Sequence, residues 1–216
     1  HIINWLACRV NNLYENIYLS KLGSVFSYSL SKLNKKYFFF SSDFSLATDF
    51  FRKYVNQKAR KQFVIISDAF RYEVAKELVE RLDKAFSFKG IAKLNYQIAP
   101  IPSITKFGMA ALLPHENITY EDEKVLVDGK LSNSTDARAK ILESKFQSYT
   151  AIQYDEIKNM KKDELRKYMS DKSHVYIYHD VIDKAGEHNS NVFEACNIAI
   201  NDICLLIKFI PILLPI

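Results

Sequence analysis

Glycine and proline are scarce in this chain of 216 residues, with five of each, while apolar residues make up 48%. A disordered or collagen-like chain is thereby excluded, and the length suits one full domain or one domain with an appendage. Cysteine is almost as scarce: Cys8, Cys196 and Cys204 form no C-x-x-C pair and no even framework. They read as structural thiols in a reducing compartment. Neither sign of charge dominates, with 30 Lys and Arg against 25 Asp and Glu and a net charge of +5. That balance permits contact with phosphates without demanding it. The densest basic runs, KARK at 58–61 and KNMKK at 158–162, read as solvated helix ends rather than a nucleic-acid groove. A secretory signal is absent, because the N-terminus carries no basic region followed by a cleavage site. A long hydrophobic run is also missing. The terminal stretch CLLIKFIPILLPI is too short to span a bilayer and is interrupted by Lys208, Pro211 and Pro215. It reads as a buried final strand or, in preference, as the irregular end of a truncated chain. The start at His1 rather than Met points to a fragment of something longer. A cytoplasmic protein with no membrane segment is the expectation.

What is present is organised around Gln62–Glu73, QFVIISDAFRYE. The run Phe63-Val64-Ile65-Ile66 has the β-branched composition of a strand buried on both faces, and a helical pattern begins near Phe70. An acid at the carboxyl end of such a strand, Asp68, sits where open α/β sheets place their ligands. Its alternative role is to cap the following helix. Upstream, residues 1–35 read as helix, with Trp5, Leu6, Val10, Leu13, Tyr14, Ile17, Tyr18 and Leu22 forming one apolar stripe. A break at 36–46 precedes a helix over 47–58, in which Phe50, Phe51 and Val55 face inward. The region 1–58 is thus expected to be a helical lead-in that packs on something else, and 59–216 the main domain.

Downstream, the pattern alternates. A helix is expected over 70–85, a strand near 94–98, a helix at 106–113, a short strand at 125–127 before Asp128-Gly129, and a helix from Ser134 or Asp136 to Phe146. A strand at 150–154, a charged helical stretch at 155–170, the strand HVYIYH at 174–179 and a helix from Asn191 complete the chain. Alternating strands and helices predict an α/β fold: a doubly wound, mostly parallel sheet with helices on both faces.

Three segments put reactive groups at strand or loop ends. The first is Ser67-Asp68. The second is PSITKFGMAALLPH, where Thr105 stands just before a helix whose free amides stabilise an oxyanion. Capping is the alternative role of Thr105, and Ser103 is the other candidate hydroxyl. The third is YIYHDVIDKAGEH, where His179, Asp180, Asp183, Glu187 and His188 crowd together. Hard carboxylates with imidazole suit a divalent ion such as zinc or manganese.

Taken in order, SDAFRYEVAKEL, PSITKFGMAALLPH and VYIYHDVIDKAGE resemble the PglZ domain, the alkaline-phosphatase-superfamily component of BREX phage-defence systems. The resemblance runs through about residues 50–205. It implies an alkaline-phosphatase-like sheet with metal ions at its strand ends and a hydroxyl nucleophile at a helix start. Carried onto this sequence, Asp68 would bind a divalent metal ion, zinc or manganese, together with His179 and Asp183, and Thr105 would be the nucleophile. Asp180 stands where many relatives are expected to have Asn. His188 lies one residue further from Asp183 than the D-x-x-x-H spacing of the superfamily. The Asp-His segment that closes the superfamily's metal site is not found after residue 188, so truncation at the C-terminus is expected.

The resemblance implies a metal-dependent phosphatase or phosphodiesterase acting on a phosphate ester, with other BREX proteins as partners. The alternative is a non-catalytic scaffold that docks other defence proteins such as a DNA methyltransferase. A nuclease would use the same metal chemistry and would need a basic groove beside the site.

Overall fold

The computed structural model describes residues 2–32, 45–85, 90–188 and 191–213, with side chains through Lys208. The expected break at 36–46 lies largely outside the described residues. Two compact units part between Phe44 and Ser45. The 58/59 boundary expected from the sequence therefore falls inside the second unit.

The first unit is helical. Helix α1 (Ile2–Asn12) runs through a π-helical segment, Leu13–Leu19, into α2 (Ser20–Lys32). No residue of this helix is buried, and its apolar stripe, including Trp5, Val10, Tyr14 and Ile17, is exposed. Tyr14 and Tyr18, one turn apart, stack at 5.7 Å.

The second unit opens with a 3-10 turn, Ala47–Asp49, and α3 (Phe50–Tyr54). The helix expected over 47–58 stops early. Val55 is extended, the Asn56 side chain accepts from the Lys58 N–H at 3.1 Å, and the Asn56 N–H donates to Gln62 Oε1 at 2.8 Å. An Asn that bonds its own backbone two residues on ends helices. Strand β1 (Gln62–Ser67) and α4 (Tyr72–Lys84) follow, then α5 (Thr105–Ala111). The strand expected near 94–98 does not form. Only Ile98 pairs, with Leu46, through Ala47 N–H to Ile98 O at 2.9 Å and Ile98 N–H to Ser45 O at 2.8 Å. One bridge is too little for a ladder.

A small antiparallel meander comes next: β2 (Ile118–Glu121), β3 (Lys124–Val127) and β4 (Lys130–Leu131). Only its middle strand was expected. Its two turns have positive φ at both central residues, Asp122 and Glu123 in one, Asp128 and Gly129 in the other. That backbone matches the twist of paired strands. Then come α6 (Thr135–Lys145), β5 (Tyr149–Gln153), α7 (Tyr154–Ile157), α8 (Lys162–Met169), β6 (His174–His179), α9 (Val181–Glu187) and α10 (Val192–Leu213). The stretch from Cys204 to Leu213 continues α10 as helix, and is neither the irregular chain expected in preference nor a buried strand. Ala195, Ala199, Ile203 and Leu206 recur along it at helical spacing and are buried.

The main sheet is parallel, in the order β1-β6-β5. Ser67 pairs with His179 and Gln62 with His174, while Tyr149 also pairs with His174. Central strand β6 is buried at every residue, which explains why HVYIYH lacks an alternating polar face. On one face Val64, Ile66, Tyr176 and Tyr178 pack with Met109 and Leu113, Ile141 and Leu142, and Val127. On the other, Phe63, Ile65, Val175 and Ile177 pack with Ile157, Leu165, Met169 and Leu206. The result is an α/β unit whose parallel strands all end at one edge, beside the starts of α5 and α9.

Candidate active site

Asp68 follows the last residue of β1, and its N–H donates to the His179 carbonyl at 2.8 Å, extending the ladder by one bond. The chain then turns sharply. Ala69 has φ of 58°, its N–H donates to Asp68 Oδ1 at 2.9 Å, and Phe70 N–H reaches Ser67 O at 3.3 Å. Helix α4 begins only at Tyr72, with Arg71 at its cap position and no side-chain cap bond. The Asp68 carboxylate therefore does not cap that helix; it stays at the turn, facing a cleft.

Thr105 is the first residue of α5, and the cap position belongs to Ile104, which makes no side-chain cap bond. The Thr105 hydroxyl stands instead beside the Asp68 carboxylate, whose pKa it helps to hold down. Asp183 comes from the first turn of α9. Asp68, Ser103, Thr105 and Asp183 line one cleft of about 500 Å³ whose floor includes Ile66, Met109 and Leu112. Burial pushes the Asp68 carboxyl above the usual carboxylate range, and the nearby negative charge of Asp183 pushes it further. The Ala69 amide, the Thr105 hydroxyl and the Arg138 guanidinium pull the other way without cancelling the rise.

The remaining expected residues lie elsewhere. His179 does not line the cleft. It is 1% exposed, its Nδ1 is 2.9 Å from Ser67 Oγ and its Nε2 is 3.3 Å from Asp202 Oδ2. Both ring nitrogens are thus engaged by partners within the protein. Asp180 occupies the cap position of α9 and pairs with Lys184 at 2.9 Å. His188 is the C-cap of α9, and its N–H donates to Lys184 O at 3.1 Å.

Two residues that sequence reasoning passed over matter here. Arg138 is buried on α6, donates from Nε to Ser132 O at 2.9 Å, and lies over the Tyr178 ring at 4.6 Å. Its signal was an Arg on the same helical stripe as Ile141 and Leu142. Asp202 had no local signal, since it lies mid-helix, 23 positions beyond the histidine it serves.

A divalent cation is the group that this donor chemistry suits. Two carboxylates whose like charges repel, with a hydroxyl beside one of them, are hard oxygen donors. Among the described residues no three His, Cys, Asp or Glu side chains stand close enough to hold a metal together. The fit is therefore that of a half-site, in which Asp68 and Asp183 would supply protein ligands and water or other groups the rest.

A parallel sheet with a hydroxyl and carboxylates at its carboxyl edge is the arrangement of an alkaline-phosphatase-like domain. Residues 47–213 match the family described as the BREX system PglZ alkaline phosphatase-like domain, and the chain belongs to that family. It is 36% identical over 206 residues to the alkaline phosphatase-like protein PglZ of Bacillus cereus (strain H3081.97), covering 92% of this chain and 24% of that protein. It is 33% identical over 205 residues to the alkaline phosphatase-like protein BrxZ of Escherichia coli O9:H4 (strain HS), covering 90% of this chain and 23% of that protein. The chain thus spans about a quarter of the length of these curated relatives. No solved structure matches it. Among the described residues, no helix is long and apolar enough to cross a membrane.

Proposed function

We propose that this chain carries part of the active cleft of a metal-dependent phosphoryl-transfer hydrolase, a phosphatase or phosphodiesterase working in the cytoplasm as part of a BREX phage-defence system. The observation that carries the reading is the convergence of Asp68, Thr105 and Asp183, from three well-separated segments, in one cleft. Asp68 and Asp183 would hold zinc or manganese. When bound, such an ion lowers the pKa of a neighbouring hydroxyl and neutralises charge on phosphate oxygens. Asp68, beside the Thr105 hydroxyl, would accept its hydrogen bond and hold its oxygen for attack on phosphorus. Thr105 would attack, forming a phosphoryl- or nucleotidyl-threonine and expelling the ester oxygen; water then cleaves the enzyme ester. Its partners would be other BREX proteins, a DNA methyltransferase among them.

A second reading, a non-catalytic scaffold for those partners, is favoured by one observation: the cleft offers only a half-site among the described residues. Calorimetry with zinc and with manganese separates the two. The hydrolase reading expects binding to the wild-type chain that weakens at least about tenfold in Asp68→Ala. It further expects hydrolysis of bis(4-nitrophenyl) phosphate that falls by at least about a hundredfold in Thr105→Val, the loss of a nucleophile. A folded chain that binds neither ion and hydrolyses nothing supports the scaffold.

A further inference from the structure

The histidine that closes β6 has a role the half-site does not use. Its ring is fully buried, and three residues converge on it. Ser67 Oγ lies 2.9 Å from Nδ1 and Asp202 Oδ2 lies 3.3 Å from Nε2. The Tyr154 ring meets the imidazole edge-on at 5.0 Å, with the Asp202 carboxylate beside its hydroxyl. Burial, with the Asp202 charge beside it, pushes the Tyr154 phenol up to about 12, so it stays a donor.

The direction of each bond follows from donor and acceptor capacity. The Asp202 carboxylate can only accept, so Nε2 donates to it. Nδ1 and the Ser67 hydroxyl share the second hydrogen bond. Ser67 immediately precedes Asp68, and the Asp68 N–H is itself bonded to the His179 carbonyl. One residue thus grips the end of β1 twice, by its carbonyl at Asp68 and by its ring at Ser67, while its other nitrogen is anchored to α10.

We propose that His179 is a positioning residue: with Ser67, Asp202 and Tyr154 it fixes the backbone at the end of β1 so that the Asp68 carboxylate is presented to the cleft. This rests on the reading of Asp68 as a metal-binding residue for its functional consequence, though not for its geometry. An open α/β edge needs such a device, because Asp68 lies beyond the last strand residue and is followed by a left-handed Ala69. Without the grip, that turn is held by the local bonds around Ala69 and Phe70.

The test uses the whole chain in four forms: wild type, Ser67→Ala, His179→Asn and the double variant. Asn keeps a polar group near the Nδ1 position and loses the reach to Asp202. The first readout needs no metal: amide hydrogen exchange at Asp68 and Ala69, compared with Ala151 in β5. The expected result is that Ser67→Ala lowers protection at Asp68 and Ala69 by about tenfold or more while Ala151 is unchanged, and that His179→Asn does so to a smaller extent. Unchanged protection at Asp68 in Ser67→Ala overturns the proposal.

The second readout is zinc affinity. Positioning predicts that Ser67→Ala alone weakens zinc by about tenfold, the size of outer-shell effects on metal sites. It also predicts that the double variant is no weaker than the weaker single one, because both act through one contact. A silent Ser67→Ala beside a His179→Asn that abolishes binding would instead make His179 a direct ligand and overturn the proposal. If the wild-type chain binds no zinc, the metal reading of the cleft fails, while the exchange result still decides the positioning role.

Discussion

The two histidines of HVYIYH stand at opposite edges of the same sheet, and both are fully buried. His174, at the amino edge, donates from Nε2 to the Asn56 carbonyl (2.9 Å), shares a hydrogen bond between Nδ1 and Ser173 Oγ (3.0 Å), and stacks on Tyr149 at 4.0 Å. Burial depresses its pKa, against a smaller upward pull from the Asn56 bond. His179, at the carboxyl edge, is held by a serine and a carboxylate beside the cleft. The same residue type on one strand thus closes a packed end in the first case and backs a reactive end in the second. In both places burial is matched by a partner at each ring nitrogen, as buried polar groups require.

The largest effect that sharpens this contrast is expected at the amino edge. His174→Ala should destabilise by about 3 kcal/mol, from the lost packing on Tyr149 and the stranded Asn56 carbonyl. Urea unfolding measures it, and zinc affinity should not change. A loss of zinc binding by the still-folded variant would break the separation of the edges.

The meander offers a test by acid. Burial would raise the Asp128 carboxyl, but the Asn117 amide, the Lys145 ammonium and the Glu116 amide together hold it below the usual range. Because the folded value is depressed, the carboxylate contributes stability above its unfolded pKa of about 3.9, and that contribution is lost as pH falls through the folded value. Asp128→Asn should cost about 1–2 kcal/mol at neutral pH and progressively less below about pH 4. A cost independent of pH would assign the effect to the turn, where Asp128 has positive φ.

Two hydroxyls near helix starts give the smaller effects. Ser134 caps α6 by accepting from the Ala137 N–H at 3.1 Å, so Ser134→Ala should cost about 1 kcal/mol. Thr105 caps nothing, and Thr105→Val should change stability by no more than about 0.5 kcal/mol. Thermal melts of both variants check the pair. A Thr105 effect as large as that of Ser134 would return it to a structural role.

Much of this molecule was legible in its sequence. The β-branched run after Gln62 formed β1, the Ser134 cap started α6, and HVYIYH formed the central strand. Asp68, Thr105 and Asp183 were legible as candidates because strand ends and helix starts are marked locally by Ser, Thr and Asp. The meander was only partly legible, because β2 and β4 are short and polar and owe their form to type I′ turns around Asp122-Glu123 and Asp128-Gly129. The stretch from Cys204 to Leu213 was misread because its prolines suggested strand or irregular chain, whereas it continues α10, in which Ala195, Ala199, Ile203 and Leu206 are buried at helical spacing.

The sequence by itself determined the alternation of elements, the family and the position of the carboxylates at one sheet edge, since each depends on neighbours a few residues away. Only the tertiary structure decided that Asp68 meets Thr105 and Asp183, and that His179 turns instead to Ser67 and Asp202. The reason is register: a side chain at the end of a strand takes its face from the pairing of β6 with β1, and its partners from a helix docked from elsewhere in the chain.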